Sequence, residues 1–193
     1  MRVLVACEES QTVTKAFRSK GFEAYSCDLI PCSGGHPEWH IQCDCRKLLL
    51  MDWDLVIAHP PCTYFSKAGG VRMFPNHKID LNRYSKLKEM RSLFMFIYTN
   101  HNKHIAIENP VPMKIAALPK PDCVIQPYEF GHKQSKMTYL WLKNLPPLMP
   151  TELIINHSEW VTHAGNAKNR SKTFDGIAAA MADQWGDYIK NNC

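Results

Sequence analysis

Short runs that contain apolar residues recur through the first 110 residues of the chain and predict β-strands. They cover residues 2–7, 23–29, 40–44, 53–59 and 104–109. The run at 53–59, WDLVIAH, is almost continuously apolar. This pattern is typical of a strand that is buried on both faces of a sheet.

Three other segments have the pattern of helices. Residues 10–21 predict a helix that begins with Ser10 as N-cap and stops at Gly21. Residues 80–100 carry apolar positions at a helical period, and the Ala-rich segment 174–190 predicts a C-terminal helix.

The alternation of strands and helices predicts an α/β fold with a mostly parallel, Rossmann-like sheet. Residues 123–130 and 137–143 flank the sequence GHKQS and predict an antiparallel hairpin at the C-terminal end of the sheet. Residues 145–172 are rich in proline and predict irregular structure. No change of composition marks a boundary, so we expect a single domain over residues 1–193.

The residues that follow the predicted strands predict a binding site. Ligands of parallel α/β sheets bind beyond the carboxyl ends of the strands. Reactive or polar residues, and a proline that shapes the turn, lie at those ends: Cys7, Glu8, Asp28, Asp44, Pro61, Cys62, Glu108 and Asn109. We therefore expect these residues to lie close together in one site.

Composition narrows the class of protein without choosing a function. The chain has 193 residues, of which 45% are hydrophobic and 21% charged, as in a soluble globular protein. Its net charge of +5 suits anionic ligands or nucleic acid but is common among other proteins. The longest apolar run, LFMFIY, is far below the roughly 18–20 residues of a membrane span. No signal peptide is recognisable, so we expect a cytoplasmic protein.

Eight cysteines leave three readings open in a reducing compartment: free thiols, a metal site or a nucleophile. Six residues with zinc-ligand side chains lie close in sequence: Cys27, Cys32, His36, His40, Cys43 and Cys45. Their spacing fits none of the usual zinc pairings. We therefore predict no metal site.

Two motifs resemble those of the DNA cytosine-C5 methyltransferases. The segment PPCTYFSKAG at 60–69 resembles the family's nucleophile motif, Pro-Pro-Cys-Gln followed by Phe-Ser. The segment IENP at 107–110 resembles its Glu-Asn-Val motif, and FGHKQSKMTYLWL at 130–142 is a looser echo of a third motif. The resemblance covers most of residues 1–143 and is strongest to the compact forms that phages and prophages encode. It implies an enzyme of a bacterial cell or a phage-infected host.

The resemblance implies catalytic roles for three residues. The thiolate of Cys62 would add to C6 of cytosine, because C5 by itself is a poor nucleophile. Glu108 would hydrogen-bond to N3 of the base or protonate it, and Asn109 would hold the loop that bears Cys62. The two prolines before Cys62 would stiffen this turn.

The resemblance also implies S-adenosylmethionine as cofactor. Asp28 would bind its ribose and Asp44 its adenine amine, with Cys7, Glu8 and Pro61 completing the cofactor site. The residues implied on the substrate side are His59, Ser66, Gln134 and Lys136. A Gly-Asn-Ala sequence at 165–167 echoes another family motif.

The chain departs from the family in three respects. The segment VACEESQTV at 5–13 lacks the family's cofactor-loop glycines, Thr63 replaces Gln, and His59 replaces Gly. We also expect no target recognition domain within 193 residues. Flipping a base out of a duplex costs a few kcal/mol, normally recovered by contacts on both sides. We therefore expect the substrate to be DNA (single-stranded included), RNA or a free nucleotide, with a partner subunit or homodimer as a further option.

Two other functions remain open on the sequence. The segment HPPCTY also resembles the Asp/Asn-Pro-Pro-Tyr motif of exocyclic amino methyltransferases, in which the thiol would be dispensable. Alternatively, a protein without the cofactor-loop glycines could keep the fold and bind nucleic acid or nucleotides without catalysis. Tests of cofactor binding and of the requirement for Cys62 distinguish these two functions from cytosine-C5 methylation.

Overall fold

A computed structural model describes residues 1–156, 159–160 and 172–192. Much of the segment predicted to be irregular and the whole Gly-Asn-Ala sequence at 165–167 lie outside these residues.

A seven-stranded mixed sheet forms the centre of the fold, as the sequence predicted. Its strands are β1 (Arg2–Ala6), β2 (Glu23–Asp28), β3 (His40–Gln42), β4 (Leu55–Ala58), β5 (Ile105–Pro110), β6 (Cys123–Ile125) and β8 (Thr138–Lys143). Their order is β3-β2-β1-β4-β5-β8-β6. The first five are parallel, and β8 lies antiparallel between β5 and β6. The predicted α/β class, parallel sheet and antiparallel C-terminal hairpin are confirmed.

Two details of the strand predictions are wrong. The first hairpin strand, expected over 123–130, ends at Ile125, because Pro127–Glu129 forms a short 3-10 turn. The chain then forms β7 (Gln134–Ser135), which pairs in parallel with β9 (Glu159–Trp160) in a separate two-stranded sheet. The strand expected over 40–44 also ends early, at Gln42.

Helices cover both faces of the large sheet. They are α1 (Thr12–Ser19), α2 (Cys45–Leu48), α3 (Gly70–Met73), α4 (Leu81–Tyr98), α5 (Asp175–Ala180) and α6 (Gly186–Asn191). A π-helical turn at Met181–Trp185 joins α5 to α6, so the predicted C-terminal helix runs from 175 to 191. Further 3-10 turns lie at Pro37–Trp39, Lys67–Gly69, Pro75–His77 and Lys114–Ala116.

The core has two halves, one on each side of the sheet. Strand β4 contributes to both: Leu55 and Ile57 face the cluster that includes α1 and the C-terminal helices. Val56 and Ala58 face the cluster that includes α4. All four side chains are inaccessible to solvent, which explains the continuous apolar run in the sequence.

The start of α1 differs from the sequence prediction. Gln11, not Ser10, is the N-cap, and its backbone is left-handed with φ 59°. The N-terminal amides are satisfied by Glu8, whose carboxylate accepts hydrogen bonds from the backbone N–H of Val13 at 2.6 Å and of Thr14 at 3.2 Å. A carboxylate three residues before the cap can therefore replace the usual Ser side chain.

Helix α5 approaches the chain near Phe130 very closely. A Cβ on Gly176 would lie 1.9 Å from the carbonyl oxygen of Phe130. The backbone N–H of Gly176 donates to Nε2 of His132 at 3.0 Å. The close contact leaves residues 172–173, just before the helix, at the carboxyl edge of the sheet. No helix in the described parts of the chain has the length and apolar character that a bilayer crossing requires.

Candidate active site

A cavity of about 660 Å³ lies at the carboxyl edge of the sheet, where β1, β2, β4 and β5 end. Ten of the predicted site residues line it: Cys7, Glu8, Asp28, His59, Pro61, Cys62, Ser66, Glu108, Asn109 and Lys136. The polar ends of four parallel strands thus meet in one place, as the position of sites in such sheets leads us to expect.

The loop that bears Cys62 is held from two sides. The side-chain amide of Asn109, which is 1% exposed, donates to the carbonyl oxygen of Pro60 at 2.7 Å. Phe65 is fully buried in the core, and its carbonyl oxygen accepts a hydrogen bond from the backbone N–H of Met113 at 2.6 Å. The chains that follow β4 and β5 are therefore tied together, which fixes the thiol relative to Glu108.

The Cys62 thiol is protonated in this environment. Burial raises the pKa of Cys62, because a thiolate would lose its hydration, and the negative charge of Glu108 raises the pKa further. The charge of Lys136 lowers the pKa but does not cancel these effects. Forming the thiolate needs a proton acceptor or a change in the charges around the thiol.

Glu108, in contrast, is ionised. Burial alone raises the pKa of Glu108, but the hydrogen bond with His59 and the charges of Lys136 and His59 outweigh it, so that the pKa falls below its usual value. Oε2 of Glu108 lies 3.2 Å from Nδ1 of His59, and the two side chains are 12% and 10% exposed. Since an ionised carboxylate can only accept, Nδ1–H of His59 is the donor.

The other ring nitrogen of His59 has a different environment. Nε2 is buried and has no hydrogen-bond partner among the described residues. The backbone N–H of His59 donates to the carbonyl oxygen of Ala6 at 2.9 Å, which continues the pairing of β4 with β1. The backbone of His59 therefore extends the edge of β4, and its side chain borders the cavity.

The turn after β1 forms without glycine. Cys7 and Gln11 both adopt left-handed backbone conformations, each with φ 59°. Such conformations cost about 1–2 kcal/mol for residues with a side chain. Two hydrogen bonds hold Gln11: its amide donates to the carbonyl oxygen of His36 at 2.7 Å and accepts from the His36 N–H at 3.1 Å. The missing glycines thus do not prevent the tight turn.

The predicted cofactor residues fall into three environments. Asp28 ends β2 beside the cavity, where its carboxylate accepts from the N–H of Ile30 at 3.2 Å. Glu8 borders the cavity, but its carboxylate is bound to the start of α1. Asp44 does not line the cavity: it is the N-cap of α2, bound to the N–H of Arg46 at 3.0 Å.

One predicted substrate residue is also absent from the cavity lining. Gln134 lies in β7, whereas Lys136, two residues later, borders the cavity. Ser66 borders it from the loop after Cys62, where its N–H donates to the Cys62 carbonyl at 2.9 Å. Strand β7 ends at Ser135, so Lys136 lies beyond the strand that contains Gln134.

The sequence analysis did not predict several residues that line the cavity: Glu9, Ser10, Arg72, Lys172 and Thr173. Arg72 belongs to α3, which follows the Cys62 loop, so its closeness in sequence to Cys62 was the available signal. Lys172 and Thr173 are more than 100 residues from Cys62. No local sequence pattern predicts Lys172 and Thr173 at the cavity, because the packing of α5 determines where they lie.

Four cysteines form two close pairs, one of which includes Cys7 on the border of the cavity. The Sγ atoms of Cys7 and Cys45 lie 3.9 Å apart, and those of Cys27 and Cys43 lie 3.8 Å apart. None of the described cysteines forms a disulfide. Within the described residues, no group of three or more His, Cys, Asp or Glu side chains is arranged to hold a metal ion.

Comparison with solved structures identifies the class of fold. A candidate DNA modification methyltransferase encoded within an E. coli prophage matches 80% of this chain with a TM-score of 0.50 and 12% identity. The S. pombe Dnmt2 methyltransferase (76% of this chain, TM-score 0.49, 15% identity) and the Entamoeba histolytica methyltransferase EhMeth (80%, 0.47, 14%) are also similar.

The chain spans about half the length of these proteins, 52%, 51% and 57% in the same order. At such low identity the first match supports the fold alone: the chain has the Rossmann-like fold found in a methyltransferase. No protein-family model matches the chain, and neither does any curated protein sequence.

Proposed function

We propose that the protein is an S-adenosylmethionine-dependent methyltransferase that methylates C5 of cytosine through a covalent adduct of Cys62. The observation that carries the proposal is the single cavity of about 660 Å³ that contains the Cys62 loop, Glu108 and the end of β2 with Asp28. A nucleophile, a group that can bind N3 and a carboxylate suited to a ribose are thus within one ligand-sized space.

The chain's own residues can perform the addition step. The Cys62 thiol loses its proton and its sulfur bonds to C6 of cytosine, the π electrons shift to form a C4–C5 double bond, and N3 gains a proton. Glu108 borders the same cavity and accepts or delivers that proton at N3. After methylation the proton on C5 leaves, the C6–S bond breaks, and the thiol is released. Asn109 fixes the position of the loop through Pro60.

The cavity fits the proposed cofactor. The Asp28 carboxylate at the end of β2 can accept hydrogen bonds from ribose hydroxyls, and Ile30, which is 51% exposed, offers an apolar surface for adenine. Bound there, S-adenosylmethionine would supply an electrophilic methyl group. Cys7, Glu8 and Pro61 border the same space. We do not assign Asp44 to this site, because α2 uses its carboxylate.

Two cationic side chains on the border of the cavity support a substrate that carries phosphate. Arg72 and Lys136 both border the cavity, and cationic side chains of this kind bind phosphates in most nucleic-acid sites. We propose DNA (single-stranded included), RNA or a free nucleotide as substrate. A partner subunit or a second copy of the chain would supply further contacts to a duplex.

Calorimetric titration of the purified protein with S-adenosylmethionine and its demethylated product tests the cofactor part. We expect micromolar binding that weakens at least tenfold in Asp28→Asn, because the ribose acceptor is weakened. The matched variant Asp44→Asn should bind within twofold of the wild type, since Asp44 lies outside the cavity. No binding at millimolar cofactor would overturn the proposal and favour a protein that binds nucleic acid without catalysis.

Trapping with oligonucleotides that contain 5-fluorocytosine tests the chemistry. Fluorine at C5 cannot leave as a proton does, so a Cys62 enzyme should accumulate a covalent complex visible on a denaturing gel. Cys62→Ser should form none. Methylation of ordinary cytosine that persists in Cys62→Ser would contradict the proposal and point to an exocyclic amino group as acceptor. Single-stranded DNA, duplex DNA and RNA are compared in parallel.

A further inference from the structure

The protons in the candidate site are on the opposite groups from those that the addition step requires. The pKa of Cys62 is raised, mainly by burial, so the nucleophile holds a proton that it must lose. The pKa of Glu108 is lowered despite burial, so the group that would protonate N3 holds no proton to give. Addition of Cys62 therefore requires a route for one proton from the thiol to the carboxylate.

The two ring nitrogens of His59 differ: one is hydrogen-bonded to Glu108, and the other is buried. Nδ1–H donates to Oε2 of Glu108 at 3.2 Å. Nε2 is inaccessible to solvent and has no hydrogen-bond partner among the described residues, although the side chain borders the cavity. A buried ring nitrogen without a partner is uncommon in a folded protein and needs an explanation.

Cys62 follows His59 by three residues and borders the same cavity. The intervening Pro60 and Pro61 have restricted backbones, and Asn109 holds Pro60 from β5. The imidazole and the thiol are thus attached to one short, stiff segment. With Nδ1 carrying a hydrogen, Nε2 bears a lone pair that can accept a proton.

We propose that His59 is an acid–base catalyst that moves a proton from Cys62 to Glu108. This inference rests on the proposed cytosine-C5 chemistry. Nε2 accepts the thiol proton when substrate binding brings the two groups into contact, while Nδ1 releases its proton to Glu108. Glu108 then delivers the proton to N3 as the sulfur bonds to C6.

The protons balance in this scheme. The thiol loses one, N3 gains one, and Glu108 ends as it began. The relay uses the neutral form of His59, which changes tautomer from hydrogen on Nδ1 to hydrogen on Nε2. Elimination of the thiol after methylation runs the relay in reverse, and removal of the C5 proton to solvent is a separate step. The relay creates no new charge in the site, which is why it is favoured over separate ionisation of the thiol.

A purely positioning role for His59 makes a different prediction. In that case the hydrogen bond to Glu108 would be the only contribution, and any donor at the Nδ1 position would replace it. The side-chain amide of Asn occupies nearly the same place as Nδ1, whereas that of Gln occupies the place of Nε2. Neither amide is a base, so His59→Asn and His59→Gln separate the relay from a hydrogen bond at either nitrogen.

The test measures the single-turnover rate of covalent complex formation with a single-stranded oligonucleotide containing 5-fluorocytosine, in the presence of S-adenosylmethionine. We expect both His59→Asn and His59→Gln to slow it at least about 100-fold, the lower range of acid–base catalysis. The matched control is His101→Asn, because His101 pairs with Asp52 at 3.3 Å on the surface. It should react at the wild-type rate, and near-ultraviolet circular dichroism checks the fold of each variant.

The outcomes distinguish this inference from the proposed function. A rate within threefold of wild type in either variant overturns the relay and leaves the cytosine-C5 proposal standing. Failure of the wild type itself to form the complex overturns the proposed function, and the relay with it. A second test uses the wild type alone. ¹⁵N NMR should show that neutral His59 carries its hydrogen on Nδ1 in the resting protein. A hydrogen on Nε2 instead would overturn the relay.

Discussion

Cys62 and Glu108 depend on each other through their charges. The carboxylate raises the pKa of the thiol, Lys136 lowers it, and Lys136 also helps to lower the pKa of Glu108. A nucleic-acid base that enters between them would change both environments at once. We therefore expect the thiol of the ligand-free protein to react slowly with alkylating reagents.

Replacing Glu108 by Gln should make Cys62 more reactive in the ligand-free protein, because one of the charges that raises the thiol pKa is removed. The midpoint of the pH dependence of Cys62 alkylation by iodoacetamide should move to lower pH, and in Lys136→Gln it should move to higher pH. Peptide mass spectrometry after timed quenching separates Cys62 from the other thiols. Lys133→Gln, an exposed lysine outside the cavity lining, is the control. Shifts of the same sign in Glu108→Gln and Lys136→Gln would contradict this charge assignment.

The loop at Pro60 should depend on Asn109. Asn109→Leu removes the donor to the Pro60 carbonyl while keeping a side chain of similar size. An unsatisfied buried carbonyl costs about 1–3 kcal/mol, so we expect the free energy of unfolding to fall by that amount. Urea titration measures it. Asn191→Leu, on the exposed end of α6, should change it little, and equal losses in the two variants would show that the contact has no special role.

At the scale of elements, the start of α1 shows how a loop can compensate for missing glycines. Left-handed Cys7 and Gln11 form the turn, and Glu8 binds the helix amides. Glu8 is 4% exposed, so its carboxylate is a buried structural group as well as a residue on the cavity border.

Glu8→Gln should destabilise the protein by about 1–3 kcal/mol, because an amide accepts fewer hydrogen bonds than a carboxylate and lacks its charge. Ser10→Ala tests the alternative cap. Its hydroxyl is 3.5 Å from the N–H of Thr12, at the limit of a hydrogen bond, so we expect a smaller loss. Thermal and urea unfolding measure both. A larger loss in Ser10→Ala would restore Ser10 as the functional cap.

Gly176 should tolerate no side chain. A Cβ would lie 1.9 Å from the Phe130 carbonyl oxygen, so α5 must shift away in Gly176→Ala. We expect a loss of about 1–3 kcal/mol in unfolding free energy, as for other overpacked sites. Gly70→Ala is the matched control, because its backbone is helical and its Cβ would meet Met113 only at 3.6 Å. Equal effects of the two changes would contradict the close approach.

At the scale of the whole molecule, the candidate site couples folding to pH. The pKa of Glu108 is lowered in the folded state from its usual value near 4.5, so the carboxylate stabilises the fold above that pH. This stabilisation is lost as the pH falls through the lower, folded pKa. The melting temperature of the wild type should exceed that of Glu108→Gln most at pH 6–7, and the gap should close towards pH 3. A gap that widens on acidification would reverse the sign of the pKa shift.

The sequence by itself determined the class of fold and most of the site. Patterns of a few neighbouring residues predict the buried strand β4, the position of Cys62 after it and the position of Glu108 near the end of β5. Because parallel strands end at a common edge, such local patterns were sufficient to predict the shared location of ten residues that line one cavity.

Only the tertiary structure decided how those side chains are used. The sequence treats Glu8, Asp28 and Asp44 alike, as acids after strands, yet one binds α1, one borders the cavity and one caps α2. The closeness of Lys172 to the cavity and of His59 to Glu108 comes from contacts between elements far apart in sequence. Hydrogen bonds and burial depend on such long-range packing, so no local pattern contains them.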